Sequence, residues 1–443
     1  MATRRSLPRN VVLLLITSTS ICHADVNTPS SQQEAGKKAF EQGRYAEAEG
    51  LIRSALTALE RTSPSTSRET ALCAQNLAAV YSAEGRQADA EGLYRRALGI
   101  WERIPGSERE TAITLNNLGV LLRIQARYAE AERNERRALQ LLEELGGPDN
   151  AEVAGTLHNL GELYAAEGKY SEAEASLRRA AEIREKVLGT NHADTALSLG
   201  ALGGIYKIEG KYTAASELIE QALAVTERAL GAEHRRVATQ LNDLAGVYSA
   251  LGDYKEAEKL SERAVAIFRK SLGPNHPDLA CALSNLAAAH FARHHYKEAI
   301  QLNRQALQIN EARLGPDHPV VGVELNNLGA ALFASHNYVA AEALFQRAVA
   351  IAEKVAGFPQ SFGADALKNL GDVYLAEHRD AEAIECYRRA VEVREKLSGP
   401  NNQRLITDLE AYAAVLRKHQ DYAGAEQAET RALGIQVRNA LHH

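Results

Sequence analysis

The chain has 443 residues, with 57 acidic against 51 basic side chains and a formal net charge of −6. This balance argues against a nucleic-acid-binding protein, which requires a basic stripe on its surface. Hydrophobic residues make up 45% of the chain and aromatic residues only 5%, which is typical of a folded protein with closely packed helices.

The first 24 residues have the pattern of an export signal. Three arginines are followed by a short apolar run, 11–16, and by small residues that end at Ala24. We therefore predict a signal peptide over 1–24 that is cleaved after Ala24, and a location in the periplasm or outside the cell. The apolar run is too short to cross a bilayer core of about 30 Å. Residues 25–30 are predicted to form a short linker.

Three alternatives stay open for this segment. Arg4 and Arg5 within 3–7 resemble a twin-arginine signal, which exports folded proteins. Cys22 is a candidate lipid-anchor cysteine, although the bulky Ile21 precedes it. The third alternative is a disordered leader on a protein that stays in the cytosol.

From Tyr45 onward a phrase of the type Tyr-x-Glu-Ala-Glu recurs every 42 residues, with one interval of 41. The ten copies begin at Tyr45, Gln87, Tyr128, Tyr170, Tyr212, Tyr254, Tyr296, Tyr338, Asp380 and Tyr422. A fixed period of this size is typical of stacked helical repeats. We therefore predict a single all-α solenoid over 31–443, and not the three domains that the length would suggest.

One repeat, 277–314, shows how each copy is expected to fold. Pro277 and Asp278 are suited to the first turn of a helix. Apolar residues then follow at helical spacing until His294. A second helix is predicted from Tyr296 and ends at Gly315, a residue that tolerates left-handed dihedral angles. Each repeat is therefore a helical hairpin.

Small residues mark where the helices must touch. Alanine stands three and ten residues after each phrase start in all ten copies, from Ala48 and Ala55 to Ala425 and Ala432. Only glycine or alanine stands nine residues before the phrase start, as at Gly161. A larger side chain there would separate the helices at a cost of about 1–3 kcal/mol.

These features resemble a known family. Leu160-Gly161-Glu162-Leu163-Tyr164 and the stretch 341–345 match the tetratricopeptide pattern. The longer unit, with its Leu272-Gly273-Pro274-Asn275-His276-Pro277 ending, is similar to the repeats of kinesin light chains and their bacterial relatives. The resemblance covers about residues 30 to 440 and implies a right-handed superhelical solenoid of about ten hairpins, whose first helices line a concave groove.

An asparagine recurs inside the first helices, directly before the repeated leucine. The six copies are Asn76, Asn117, Asn159, Asn285, Asn327 and Asn369. Asparagine is a mediocre helix former, so its recurrence needs a reason. Its amide both donates and accepts, which suits it to bind the backbone of an extended peptide in the groove, and the resemblance implies the same role. The alternatives are a bond to the neighbouring helix and simple duplication of the repeat.

Phe291, Phe333 and Leu375 stand 42 residues apart and are predicted to form an apolar stripe for ligand side chains, or else to pack between repeats. Cations on the first helices are sparse, so a clamp for a terminal carboxylate is not expected.

Histidines recur every 42 residues before the first helices, at His192, His234, His276 and His318. Copies one repeat apart are too distant to share an ion, so we expect them to cap helices or to pack on the next loop. His290, His294 and His295 lie closer together, but no carboxylate completes them in the sequence. We therefore expect no metal and no cofactor.

Cys73, Cys281 and Cys386 lie in distant repeats and are expected to be buried and unbonded. Motifs of nucleotide-binding, metalloprotease and serine-hydrolase enzymes are absent from the sequence. We therefore predict a non-catalytic scaffold that binds an extended peptide or protein. The alternative is a structural role through self-association at the ends or the convex face.

Overall fold

The computed structural model describes residues 28–62, 66–354 and 361–441. Every regular element in this part of the chain is an α-helix, and the twenty helices form ten hairpins. The predicted all-α repeat fold and its ten hairpins are thereby confirmed. The predicted signal peptide, 1–24, lies outside the described residues. None of the described helices is long and apolar enough to cross a membrane.

The chain consists of two compact units, Met1–Gln240 and Leu241–His443. The hairpins of the first unit are α1 (Pro29–Glu41) with α2 (Tyr45–Thr62), α3 (Arg68–Ala83) with α4 (Gln87–Trp101), α5 (Glu108–Ile124) with α6 (Tyr128–Gly146), α7 (Ala151–Glu167) with α8 (Tyr170–Leu188), and α9 (Ala193–Ile208) with α10 (Tyr212–Leu230).

The boundary between the units falls inside α11 (Arg235–Leu251). The other helices of the second unit are α12 (Tyr254–Leu272), α13 (Pro277–Ala292) with α14 (Tyr296–Leu314), α15 (Pro319–Ala334) with α16 (Tyr338–Lys354), α17 (Ser361–Ala376) with α18 (Asp380–Ser398), and α19 (Arg404–Lys418) with α20 (Tyr422–Leu441). In each unit a second helix packs on the first helix of the next hairpin.

The hairpin of α13 and α14 has the predicted signals. The Nδ1 atom of His276 accepts a hydrogen bond from the backbone N–H of Asp278 at 3.1 Å, so this histidine caps α13. The equivalent histidines before α9, α11 and α15 make the same bond, which confirms their predicted role. His294 turns the chain with φ of +62°, and Gly315 ends α14 with φ of +90°.

The small-residue columns lie where the two helices of a hairpin cross. A Cβ atom on Gly161 would stand 2.5 Å from Cγ of Leu177, and one on Gly329 would stand 2.7 Å from Cε1 of Phe345. Alanines such as Ala48 are completely buried. At these two glycines even the Cβ atom of an alanine would meet the side chain of the facing helix, which confirms the predicted need for small residues.

The three described cysteines are unbonded. Burial raises the pKa of Cys73 to about 12 and that of Cys386 to about 11, so both thiols stay protonated and unreactive at neutral pH. Cys281 is only half-buried, so the expectation of burial is wrong for this residue. It lies on the exposed side of α13.

Candidate functional site

Three first helices of the second unit, α13, α15 and α17, share one partly exposed side. Its residues, called here the second-unit face, are Cys281, Asn285, Ala288, Phe291, Val323, Asn327, Ala330, Phe333, Asp365, Asn369, Asp372 and Leu375. They recur at spacings of three and four along α13, α15 and α17, while the positions between them are mostly buried. This periodicity places the predicted asparagines and apolar residues of these helices on one surface.

Exposed apolar side chains make this face suitable for binding. Val323 is 39% exposed and Phe291 is 37% exposed. The neighbouring Ala288 and Ala330 are small, so they leave room beside the larger groups. Removing apolar surface of this kind from water would stabilise a complex by about 25 cal/mol for each Å² that is buried.

The asparagines form hydrogen bonds between neighbouring first helices. Nδ2 of Asn285 donates to Oδ1 of Asn242 at 2.8 Å, and Nδ2 of Asn369 donates to Oδ1 of Asn326 at 2.9 Å. The inter-helix bond considered as the alternative role therefore exists. Each of these bonds uses the amide nitrogen, and no bond to Oδ1 of Asn285 or Asn369 is found within the described residues. The amide oxygens of Asn285 and Asn369 are thus acceptors on the half-buried face.

The first unit places its asparagines differently. Asn76, Asn117 and Asn159 are at most 2% exposed. Nδ2 of Asn159 donates to Oδ1 of Asn116 at 3.2 Å, which repeats the inter-helix bond of the second unit. The six predicted residues therefore fall into two groups, and only Asn285, Asn327 and Asn369 contribute to a partly exposed surface.

The predicted aromatic residues combine packing with exposure. The ring of Phe291 lies 5.6 Å from that of Tyr296, and the ring of Phe333 lies 5.5 Å from that of Tyr338. Phe333 also packs with Leu375 against the apolar core of their unit. Each phenylalanine is fixed by a tyrosine of its own hairpin, so the face presents rigid rings whose exposed edges can contact a ligand.

Charges near the face are neutralised locally. Nζ of Lys368 lies 2.9 Å from a carboxylate oxygen of Asp372, one turn away on α17. In the first unit, Arg123 is buried and its Nη1 lies 3.7 Å from Glu162. Since these cations already face acids, the arrangement does not favour a clamp for a terminal carboxylate.

A buried carboxyl group supports the face from below. Glu324 of α15 is 5% exposed and accepts hydrogen bonds from Oγ of Ser284 at 2.8 Å and from Nδ2 of Asn310 at 3.2 Å. Burial raises the pKa of Glu324 to about 7, and the two hydrogen bonds oppose this shift. The contact between α13 and α15 therefore contains a group that titrates near neutral pH.

Sequence reasoning grouped His290 and His295 with His294 but missed the acid that completes a cluster in this unit. Glu258 of α12 lies beside His290 and His295, and their ligand atoms are within 4.8 Å of one another. The sequence contains a signal for this cluster, because His290 and His295 both stand where the copies one repeat away have other residues. The acid went unnoticed since it lies 32 residues before His290 and only the packing of the hairpins brings it close.

A shallow cleft of about 570 Å³ lies between α16, α17 and α18, away from the second-unit face. Tyr374 and Cys386 line it together with Arg389, which pairs with Glu353. The charge of Arg389 is thus already neutralised, and the cleft is a weaker candidate for a binding site than the second-unit face.

A family model described as tetratricopeptide repeat matches seven segments of the chain, most of which overlap a neighbour. They are 37–103, 70–144, 152–228, 194–270, 235–312, 278–354 and 364–436. A search of curated protein sequences finds no match.

Two solved structures are similar to this chain in fold, and a third matches part of its length. The apo form of RapI is 13% identical with a TM-score of 0.60, over 84% of this chain and 98% of that one. A Rap protein complexed with competence and sporulation factor is 14% identical with a TM-score of 0.58, over 85% and 100%. The nearly identical TPR-like repeats of a Podosopora anserina protein named as a kinesin light chain are 28% identical with a TM-score of 0.41, over 47% and 100%.

Proposed function

Because the chain belongs to the tetratricopeptide repeat family, a family of protein-interaction scaffolds, we propose that it binds an extended segment of a protein partner on the second-unit face. The observation that carries this proposal is the partial exposure of Val323 and Phe291 beside the half-buried asparagines. Apolar side chains of the ligand would cover the exposed groups. The amide oxygens of Asn285 and Asn369 would accept hydrogen bonds from its backbone.

This mode of binding needs no covalent chemistry, and we propose that the protein is not an enzyme. Hydrogen bonds to a peptide backbone and burial of apolar side chains supply affinity in comparable peptide-binding domains. A peptide or protein is a better partner than a nucleic acid, since the chain carries a net charge of −6. We also keep the proposal that the protein is exported, which the leader sequence supports.

Site-specific photocrosslinking tests where the partner binds. A photoreactive amino acid would replace Val323 on the face in one variant and Val339 of α16 in another. Val339 is the matched control, because it is a valine of the same unit that is 76% exposed and lies on a second helix. We expect a partner in cell-envelope extracts to crosslink at position 323 and not at 339. Crosslinking at 339 alone would contradict the proposal.

A second experiment tests the asparagines. Asn285, Asn327 and Asn369 would be changed to alanine together, and helicity and melting would be compared with the wild type. If the amides bind the ligand backbone, the affinity for the crosslinked partner falls at least tenfold. Unchanged affinity would restrict the asparagines to their bonds between helices.

A second candidate function is assembly through α20. Leu433 is 60% exposed, whereas its counterparts Val349 and Val391, 42 residues apart, are buried. Val437 is 51% exposed and stands one turn later. Val437 also replaces the glutamate of most copies, such as Glu395. An uncovered apolar face of this kind favours contact with a second copy of the chain.

Sedimentation velocity tests the assembly candidate with a matched variant. Val437→Glu restores the residue found at this position in eight of the ten copies. If α20 mediates self-association, the wild type sediments as an oligomer and Val437→Glu as a monomer. A monomeric wild type at micromolar concentration would eliminate this candidate without affecting the peptide-binding proposal.

A further inference from the structure

Four hairpin junctions of this protein share one arrangement of three side chains. A tyrosine near the end of a first helix packs under a cation that precedes the second helix, and the cation pairs with a glutamate of the preceding hairpin. Nζ of Lys211 lies 5.0 Å from the ring of Tyr206 and 3.5 Å from Oε2 of Glu174. The same trio occurs as Tyr81, Arg86 and Glu49, as Tyr164, Lys169 and Glu132, and as Tyr374, Arg379 and Glu342.

The junction between α13 and α14 departs from this arrangement at two positions together. His290 replaces the tyrosine and His295 replaces the cation, while the glutamate is kept as Glu258. The Nδ1 atoms of His290 and His295 are 3.4 Å apart, and Nδ1 of His290 lies 3.8 Å from Oε2 of Glu258. A cation–π contact and its ion pair are thus exchanged for three metal-ligating groups that face one another.

The spacing of these groups fits one small ion. Zn²⁺ binds imidazole nitrogen and carboxylate oxygen at about 2.0–2.2 Å, so neighbouring ligand atoms of a tetrahedral site stand roughly 3.3–3.6 Å apart. The observed separations of 3.4 and 3.8 Å need only small side-chain movements. The side chains of Glu258 and His290 are 18% and 13% exposed, which leaves access for an ion and a water molecule.

We propose that Glu258, His290 and His295 bind a divalent transition-metal ion, with Zn²⁺ as the best match. Two imidazoles and one carboxylate form a borderline donor set that favours Zn²⁺ over Mg²⁺ or Ca²⁺, which prefer oxygen ligands. Three protein ligands leave a fourth position for water or for a group from a partner. The ion joins α12 to the hairpin of α13 and α14, and therefore stabilises their contact.

Arg293 competes with the ion in this site. Its guanidinium pairs with Oε2 of Glu258 and compensates the charge that a lysine or arginine balances at the four junctions described above. The ion must displace Arg293 from the carboxylate before Glu258 can coordinate it. Removing this arginine is therefore expected to strengthen metal binding, an effect that a damaged fold would not produce.

Titration of the purified chain with Zn²⁺, against a chromophoric zinc indicator, tests the site. The chain has 14 histidines, so the difference between variants decides the outcome. His290→Tyr with His295→Lys copies the junction of Tyr206 and Lys211 and should keep the fold. We expect this double variant to bind one Zn²⁺ ion fewer than the wild type, or to bind it with an affinity at least tenfold lower.

Two single variants complete the test. Arg293→Gln should bind Zn²⁺ about tenfold more tightly than the wild type. His294→Gly is the control, since it supplies the glycine found at this turn as Gly210 and Gly252, and it should bind as the wild type does. Equal binding by the wild type and the double variant would overturn the proposal. Unchanged or weaker binding by Arg293→Gln would overturn the assignment of Glu258 as a ligand.

Discussion

Arg394 of α18 and Asp408 of α19 form a buried ion pair between two consecutive hairpins. Nε of Arg394 contacts Oδ2 of Asp408, and the two side chains are 5% and 1% exposed. Nη2 of Arg394 also lies 2.7 Å from Asp365 of α17. The corresponding positions one repeat earlier hold Ala352 and Ala366, both buried in an apolar cluster. The same two positions of the repeat thus accept either an ion pair or a pair of small apolar residues.

Removal of one partner of this pair should destabilise the second unit strongly. Arg394→Ala leaves Asp408 buried without its cation, and we expect a loss of about 3–5 kcal/mol in the free energy of unfolding. The double variant Arg394→Ala with Asp408→Ala copies the alanine pair found one repeat earlier. It should therefore lose less stability than Arg394→Ala alone. Urea denaturation measures both. Equal losses in the single and double variants would show that the uncompensated charge is not the cause.

Adjacent glycines of α9 should respond in opposite directions to alanine. A Cβ atom on Gly203 would stand 2.6 Å from Cγ1 of Ile219, whereas nothing lies within 4 Å of one on Gly204. Gly204→Ala is expected to stabilise the protein by about 1 kcal/mol through helix propensity. Gly203→Ala is expected to destabilise it by about 1–3 kcal/mol through overpacking. Thermal melting that ranks the variants in the reverse order would contradict the packing seen here.

Glu324 should make stability depend on pH. Burial raises its pKa from 4.5 to about 7, so the folded chain binds this proton more tightly than the unfolded chain does. The contribution of this group to stability therefore falls by about 3 kcal/mol as the pH rises from 4.5 to about 7, and it is constant above that range. Glu324→Gln copies Gln240, which stands at the same position two repeats earlier, and should remove this component. Parallel pH profiles for the wild type and the variant would contradict the prediction.

The predicted export signal has a direct chemical test. Mass spectrometry of the protein expressed in a Gram-negative host should find a mature chain that begins at Asp25 in the periplasm or the medium. Replacing Arg4 and Arg5 with lysine should block export only if the twin-arginine route is used. A full-length chain in the cytosol would contradict the prediction of export.

Helices and their crossings were predictable because they depend on local rules. The cap at His276, the start at Tyr296 and the end at Gly315 are each fixed by a few neighbouring residues. The small residues at Gly161 and Gly329 recur with the repeat, so a contact between helices could be inferred without coordinates.

Contacts between repeats were harder to predict. Asn285 bonds to Asn242, 43 residues away, so the sequence alone left its role open between ligand and neighbouring helix. The half-buried state of Cys281 was missed for the same reason. Exposure depends on how closely neighbouring first helices approach, which a periodic pattern does not specify.

The sequence by itself determined the family, the all-α fold, the ten hairpins and the residues that pack inside each of them. These properties follow from helix periodicity, capping and small-residue columns, which act within about 42 residues of chain. Only the tertiary structure decided which asparagines reach a surface and which acid stands beside His290 and His295. Stacking brings side chains of different hairpins within a few ångströms, and their separation in the sequence does not record that distance.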